Sequence, residues 1–187
     1  MTALAEKRMT WQEFRNLEVA DNDLSIYELI NGLLMKRSAP SLRHQNAVSA
    51  LLSKMRAFAD EHKLGKVFTS PLDVLLDNGN CFQPDICFVS NERAFLLDNG
   101  EYINGAPDLV VEVLSPGTWK NDRSSKKDVY EKYAVKEYWI LDPVYQTVEI
   151  FVHENKAFRL HALAEAEGTL ESVVLPGFEV SVKGIYT

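Results

Sequence analysis

Only two cysteines, Cys81 and Cys87, occur among the 187 residues, too few for a disulfide framework. Five residues separate them and no C-x-x-C is present, so zinc-site spacing is missing too. Both read as buried small hydrophobes in a reducing compartment. No apolar run approaches the roughly 18 residues of a membrane-spanning helix. The first residues, MTALAEKRMTWQEF, put charges where a signal peptide needs its apolar stretch, so the expected location is cytoplasmic, with no membrane partner. Nine glycines and seven prolines exclude collagenous or low-complexity architecture. There is no G-x-S-x-G, Walker A, G-x-G-x-x-G or H-E-x-x-H motif. Serine hydrolase, nucleotide-phosphate cradle, dinucleotide site and zincin all lack support. Basic residues are outnumbered, 20 against 27, and the net charge of −7 argues against nucleic acid as a partner.

What is present is 46% hydrophobic and 25% charged, as expected of one ordinary globular domain over residues 1–187 with a real core. The acidic excess is local. Residues 67–118 hold one basic and eight acidic side chains, whereas 1–66 and 119–137 are each net +2 and 138–187 net −4. A carboxylate cluster holding a divalent cation gives this pattern, and so does an acidic solvated face.

Thr10 with Glu13 three residues on has capping-box spacing and predicts a short helix toward Val19. In YELINGLLMKR, Asn31-Gly32 predicts a type I′ hairpin. From Ser41, as N-cap, to about His62, Val48, Leu51, Leu52, Met55, Phe58 and Ala59 recur at helical spacing. Past Gly65, KVFTS, LDVLL and CFQPDICFV read as strands, the last as one strand disturbed at Pro84. A loop then runs to Pro107. DLVVEVL is nearly continuous in apolar residues, as a central strand covered on both faces is. Asp122 is expected to cap a helix reaching about Ala134, and EYWILD, TVEIFVH, AFRLHAL and the end up to Leu175 read as strands. The sum is a mixed α/β domain with helices on at least one face of its sheet.

Glu112 interrupts LVVEVL where burial asks for Val or Ile, so it needs a metal, a Lys or Arg, or donors. Asp85 shares a period-two face with Cys87 and Val89. Two carboxylates converging from neighbouring strands repel, and a divalent cation is the simplest remedy. Lys126 shares a helical stripe with Val129, Tyr130 and Tyr133 and should face the core, while Lys127 should form a surface pair with Glu131. Glu28, flanked by Ile26 and Ile30 on its face, is a third acid. His44, in line with Val48, Leu51 and Met55, reads first as a core or helix-start histidine and second as a group positioning phosphate or water. Asp108, Asp122 and Asp142 read as turn and cap residues.

The order ELINGLL, His44 at a helix start, QPD, PDLVVEVLSP, Asp122 with Lys126 and Tyr130, then EYWILDP resembles the Uma-type restriction endonuclease family of the PD-(D/E)XK nuclease superfamily. The resemblance covers roughly residues 10–155. It implies a restriction endonuclease-like mixed β-sheet core flanked by helices, and hydrolysis of DNA phosphodiester bonds with Mg²⁺ or Mn²⁺. It further implies Asp85 and Glu112 as metal carboxylates, Glu28 as the acid from the N-terminal part, and Lys126 as a lysine moved to the following helix, because Leu114 holds the usual lysine place. Gln83, His44 and Tyr130 are auxiliary in this scheme, and a homodimer is expected so that two sites meet two strands. Two other readings stay open: a degenerate nuclease fold serving as a binding or assembly module, and a hydrolase using Asp85 and Glu112 as an acid/base pair on, for example, a glycoside.

Overall fold

The computed structural model describes residues 8–19, 22–23, 25–37, 39–117 and 119–187. Helix α1 (Trp11–Arg15) opens on the complete capping box, with Thr10 and Glu13 exchanging side-chain and backbone bonds. Strands β1 (Ile26–Ile30) and β2 (Leu33–Arg37) form the expected hairpin, and Asn31 and Gly32 take φ of 50° and 79°. In its register Ile26 lies opposite Arg37, which brings the end of β2 beside the start of β1. Helix α2 (Leu42–Glu61) begins where Ser41 accepts a bond from the His44 amide, and buries the stripe Val48, Leu51, Met55 and Ala59.

Strands β3 (Gly65–Thr69), β4 (Val74–Asp77), β5 (Asn80–Phe82) and β6 (Ile86–Ser90) follow. The expectation of one strand over CFQPDICFV is corrected. β5 and β6 belong to different sheets, and Gln83, Pro84 and Asp85 carry the chain between them, since Pro84 has no N–H for a ladder. The stretch before Pro107 is not all loop either: it contains a 3₁₀ helix (Asn91–Leu97) and β7 (Ile103–Asn104). Strand β8 (Leu109–Val113) is buried along its whole length, as its composition predicts. The helix after it is two helices, α3 (Trp119–Arg123) and α4 (Ser125–Lys132), separated at Ser124 with φ −129° and ψ −94°. Asp122 therefore does not stand at a helix start: it lies inside α3 with its side chain buried. Strands β9 (Glu137–Asp142), β10 (Thr147–Glu154) and β11 (Ala157–Glu165) complete the main sheet, and β12 (Thr169–Glu171), β13 (Glu179–Ser181) and α5 (Lys183–Tyr186) end the chain.

Six strands run in the order β11-β10-β9-β8-β6-β3, with β8 and β9 parallel and the other pairs antiparallel. A second, five-stranded sheet has the order β2-β1-β5-β4-β7. Period two divides the residues of the large sheet between two cores. Val111, Trp139 and Leu141 pack with Leu51 and Met55 of α2 and with Leu175 and Phe178 of the C-terminal segment. Val110, Tyr138 and Ile140 pack with Tyr130 of α4 and with Val74 and Phe82 of the small sheet. Glu112 shares the second face with Val110, so the small sheet and α4 enclose it.

Candidate active site

Glu112 is 0% exposed, and one of its oxygens, Oε1, accepts from Lys126 Nζ at 2.9 Å and from the Tyr130 hydroxyl at 2.9 Å. The other, Oε2, is buried and has no donor among the described residues. Lys126 is 1% exposed and reaches three acids: Glu112, Glu28 Oε1 at 2.8 Å and Asp122 Oδ1 at 3.6 Å. The helical-stripe argument for Lys126 holds. Lys127 lies over the ring of Phe151, 3.8 Å from its centroid. The expected pair with Glu131 is replaced, because the Glu131 carboxylate accepts from the Phe158 amide.

Asp85 sits at the entrance to β6, where the chain leaves the small sheet. Its Oδ2 accepts from the Val113 amide at 2.7 Å and faces His44 Nε2 at 3.2 Å, and Oδ1 faces Arg37 Nη2 at 3.2 Å. His44 thus belongs to the site as well as to the core of α2. Glu28 Oε1 also accepts from the Gln83 amide at 2.8 Å, and Arg37 Nη1 donates to the Gln83 carbonyl at 3.1 Å. Gln83 consequently serves through its main chain; its side chain points away, donating to Asp73. All four residues expected to act together, Glu28, Asp85, Glu112 and Lys126, meet in one network with His44 and Tyr130.

Two members of the network were not among the expected site residues. Arg37 is one, although period two places it on the inward face of β2 with Leu33 and Met35, where a guanidinium needs an anion. Asp122 is the other; it precedes Lys126 by four residues, on the stripe that continues to Tyr130. Asp108 is more than a turn residue: fully buried, it accepts from the Ser90 amide and pairs with Lys136 at 2.7 Å. Asp142 does serve its turn, accepting from the Val144 and Tyr145 amides.

Four buried carboxylates, Glu28, Asp85, Glu112 and Asp122, thus surround two buried basic side chains, Arg37 and Lys126. The imbalance falls on Glu112. Burial pushes its carboxyl up to about 8, opposed by Lys126 and reinforced by Asp122, Asp85 and Glu28. Burial alone would lower the pKa of Lys126, but Glu112, Glu28 and Asp122 outweigh it and keep the ammonium charged. Burial likewise works against an ionised Asp85, yet His44, Arg37 and the Val113 amide hold its carboxyl below the ordinary range. A cleft of about 150 Å³ opens onto Arg37, His44 and Asp85; Glu112 and Lys126 lie behind them and do not line it. Among the described residues no three His, Cys, Asp or Glu side chains are grouped to cage a metal ion, and no helix is long and apolar enough to cross a membrane.

A mixed sheet flanked by helices, as here, is a restriction endonuclease-like fold. The chain belongs to the Uma2 family, described as "Putative restriction endonuclease", which matches residues 11–183. Among solved structures it is similar to a "putative nuclease belonging to DUF820" from Anabaena variabilis, with 20% identity, 95% of this chain and 97% of that chain covered, and a TM-score of 0.78. No curated protein matches the sequence. Family and fold together support a nuclease.

Proposed function

We propose that this protein is a divalent-cation-dependent endonuclease hydrolysing phosphodiester bonds of DNA, with Asp85 and Glu112 holding Mg²⁺ or Mn²⁺. The observation that carries the proposal is the convergence of Glu28, Asp85, Glu112 and Lys126 in one buried network, of which Asp85 lines a cleft. The donor set fits such an ion. Among the described residues Glu112 Oε2 is a buried acceptor without a donor, and four buried acids exceed two buried bases in the network. Mg²⁺ keeps several waters and takes only one or two carboxylates, so a three-ligand cage is not required.

When bound, the cation would supply positive charge at the phosphate and acidify a water molecule. The chain's own groups do the rest. Tyr130 and Lys126 fix the rotamer of Glu112 through Oε1 and leave Oε2 uncommitted. The Val113 amide and His44 orient Asp85, and the main chain of Gln83 orients Glu28, which completes the acidic side. Lys126 neutralises part of the acidic charge that would otherwise repel a phosphate. In this proposal the chain acts as a single restriction endonuclease-like domain, as a cytoplasmic homodimer in which two sites meet two strands.

One observation favours a second reading, the degenerate binding or assembly module: Glu112 and Lys126 pair with each other out of reach of the cleft. Supercoiled plasmid and single-stranded DNA, incubated with the protein and Mg²⁺, Mn²⁺ or Ca²⁺, separate the two. Each phosphate contact contributes a salt slope of about −0.9 on duplex DNA, and the acidic chain offers few contacts, so low ionic strength is the condition to use. Cutting with Mg²⁺ or Mn²⁺ but not Ca²⁺, abolished in Lys126→Ala, is expected. Saturable Mn²⁺ binding by calorimetry without any cutting would establish the module instead.

A further inference from the structure

We propose that the cleft between β2 and the start of α2 seats the phosphate group itself, with Arg37 as the principal donor and His44 and Ser70 as its companions. This rests on the nuclease reading above and assigns the contact with substrate to a residue outside the acid-and-lysine set.

Arg37 is buried at the cleft wall, and its partners are distant for a charged donor: 3.1 Å to the Gln83 carbonyl, 3.2 Å to Asp85 and 3.5 Å to Glu28. Charge-assisted bonds of this kind close to about 2.7–2.9 Å when the geometry is good. Those three contacts use Nη1 and one N–H of Nη2, which leaves the Nε–H and a second Nη2–H without an acceptor among the described residues. A guanidinium cannot shed its proton, and its planar fork matches two oxygens of one phosphate.

Two further groups in the same wall are under-used. His44, 3% exposed, turns Nε2 to Asp85, and its Nδ1 is buried with no partner among the described residues. The Ser70 hydroxyl is in the same condition. His44 and Gln45 stand in the first turn of the 20-residue helix α2, whose positive end faces the cleft. The volume, about 150 Å³, has room for about five waters and therefore for one phosphate group. Asp85 on the same wall repels an anion, so the seat fills only with the divalent cation present. Lys126, one layer deeper, becomes a positioning residue that acts through Glu28 and Glu112.

The Nε–H signal of Arg37 in a ¹H–¹⁵N correlation spectrum, assigned by its loss in Arg37→Lys, reports on the seat directly. Inorganic phosphate titrated into the Mg²⁺-loaded protein is expected to move that signal saturably, with affinity weakened about tenfold in Ser70→Ala, the loss of one hydrogen bond. His44→Gln is expected to weaken it similarly. Should Arg37→Lys fail to fold, Ser70→Ala, which removes only a hydroxyl, carries the test through the phosphate concentration that half-inhibits DNA cutting. An Arg37 signal that phosphate leaves in place, or Ser70→Ala and His44→Gln proteins that bind phosphate like the wild type, would overturn the proposal. The two readings fail separately. Phosphate binding at Arg37 without DNA cutting leaves the seat standing and removes the nuclease, whereas cutting that ignores Arg37→Lys, Ser70→Ala and His44→Gln removes only the seat.

Discussion

Replacing Lys126 by Met preserves most of the side chain's volume and deletes an ammonium that touches Glu28, Glu112 and Asp122. Among the described residues the basic side chain then left beside these buried acids is Arg37, at 3.5 Å from Glu28 and bonded mainly elsewhere. Removing one member of a buried ion pair typically destabilises by about 3–5 kcal/mol, because the remaining charge stays uncompensated. For a chain of this size each kcal/mol lowers the melting temperature by about 2–4 °C, so a fall of about 6–20 °C is expected. Glu112, whose carboxyl burial already pushes up, can escape the penalty by holding its proton. The loss should therefore be greater at pH 8 than at pH 5, and Lys126→Met with Glu112→Gln should recover up to about 3 kcal/mol relative to additivity. Urea denaturation of the four proteins of this cycle, at both pH values, measures all three quantities. A Lys126→Met protein within about 1 kcal/mol of wild type at both pH values would refute the argument that this ammonium holds the cluster together.

In the cation-free protein Glu112 keeps its proton up to about pH 8, against an ordinary value of 4.5 in the unfolded chain. Between those limits the folded state binds the extra proton, so raising the pH through this window should lower stability, and Glu112→Gln should flatten the dependence in thermal melts. Asp85 acts in the opposite sense: with its carboxyl held below 3.8, its contribution is present above that value and is lost as the pH falls beneath it. Lys127→Ala, on the outer stripe of α4, removes a cation–π contact with Phe151 and should change stability by about 1 kcal/mol or less while leaving DNA cutting intact.

How far the sequence reading reached follows from the range of each interaction. Glu112 stood out because a carboxylate within LVVEVL conflicts with its immediate neighbours, and β8 is indeed buried throughout. Lys126 followed from helical spacing alone, even though the helix expected around it is broken at Ser124. The hairpin at Asn31-Gly32 and the cap at Ser41 are local chemistry and form as expected. What stayed hidden depends on contacts between distant segments. Arg37 meets Asp85 across 48 residues, and nothing near LLMKR says which anion it will find. Asp122 looked like a cap because it precedes a helical stripe; only the packing of α3 against the cluster turns it inward. The division of CFQPDICFV between two sheets was marked by Pro84, but which sheet receives each half is a matter of tertiary pairing.

The central claim is that this buried cluster performs the hydrolysis, and Glu112→Gln tests it most directly, since the amide keeps the size and loses the charge. Nicking of supercoiled plasmid at low ionic strength would be timed over a Mg²⁺ series, with wild type and variant purified identically and matched for fold by their melting curves. The account predicts Mg²⁺-dependent nicking by the wild type and a loss of about 10²-fold or more in the variant, the scale seen when one charge-stabilising group is removed from an active site. Equal nicking by both proteins would contradict it.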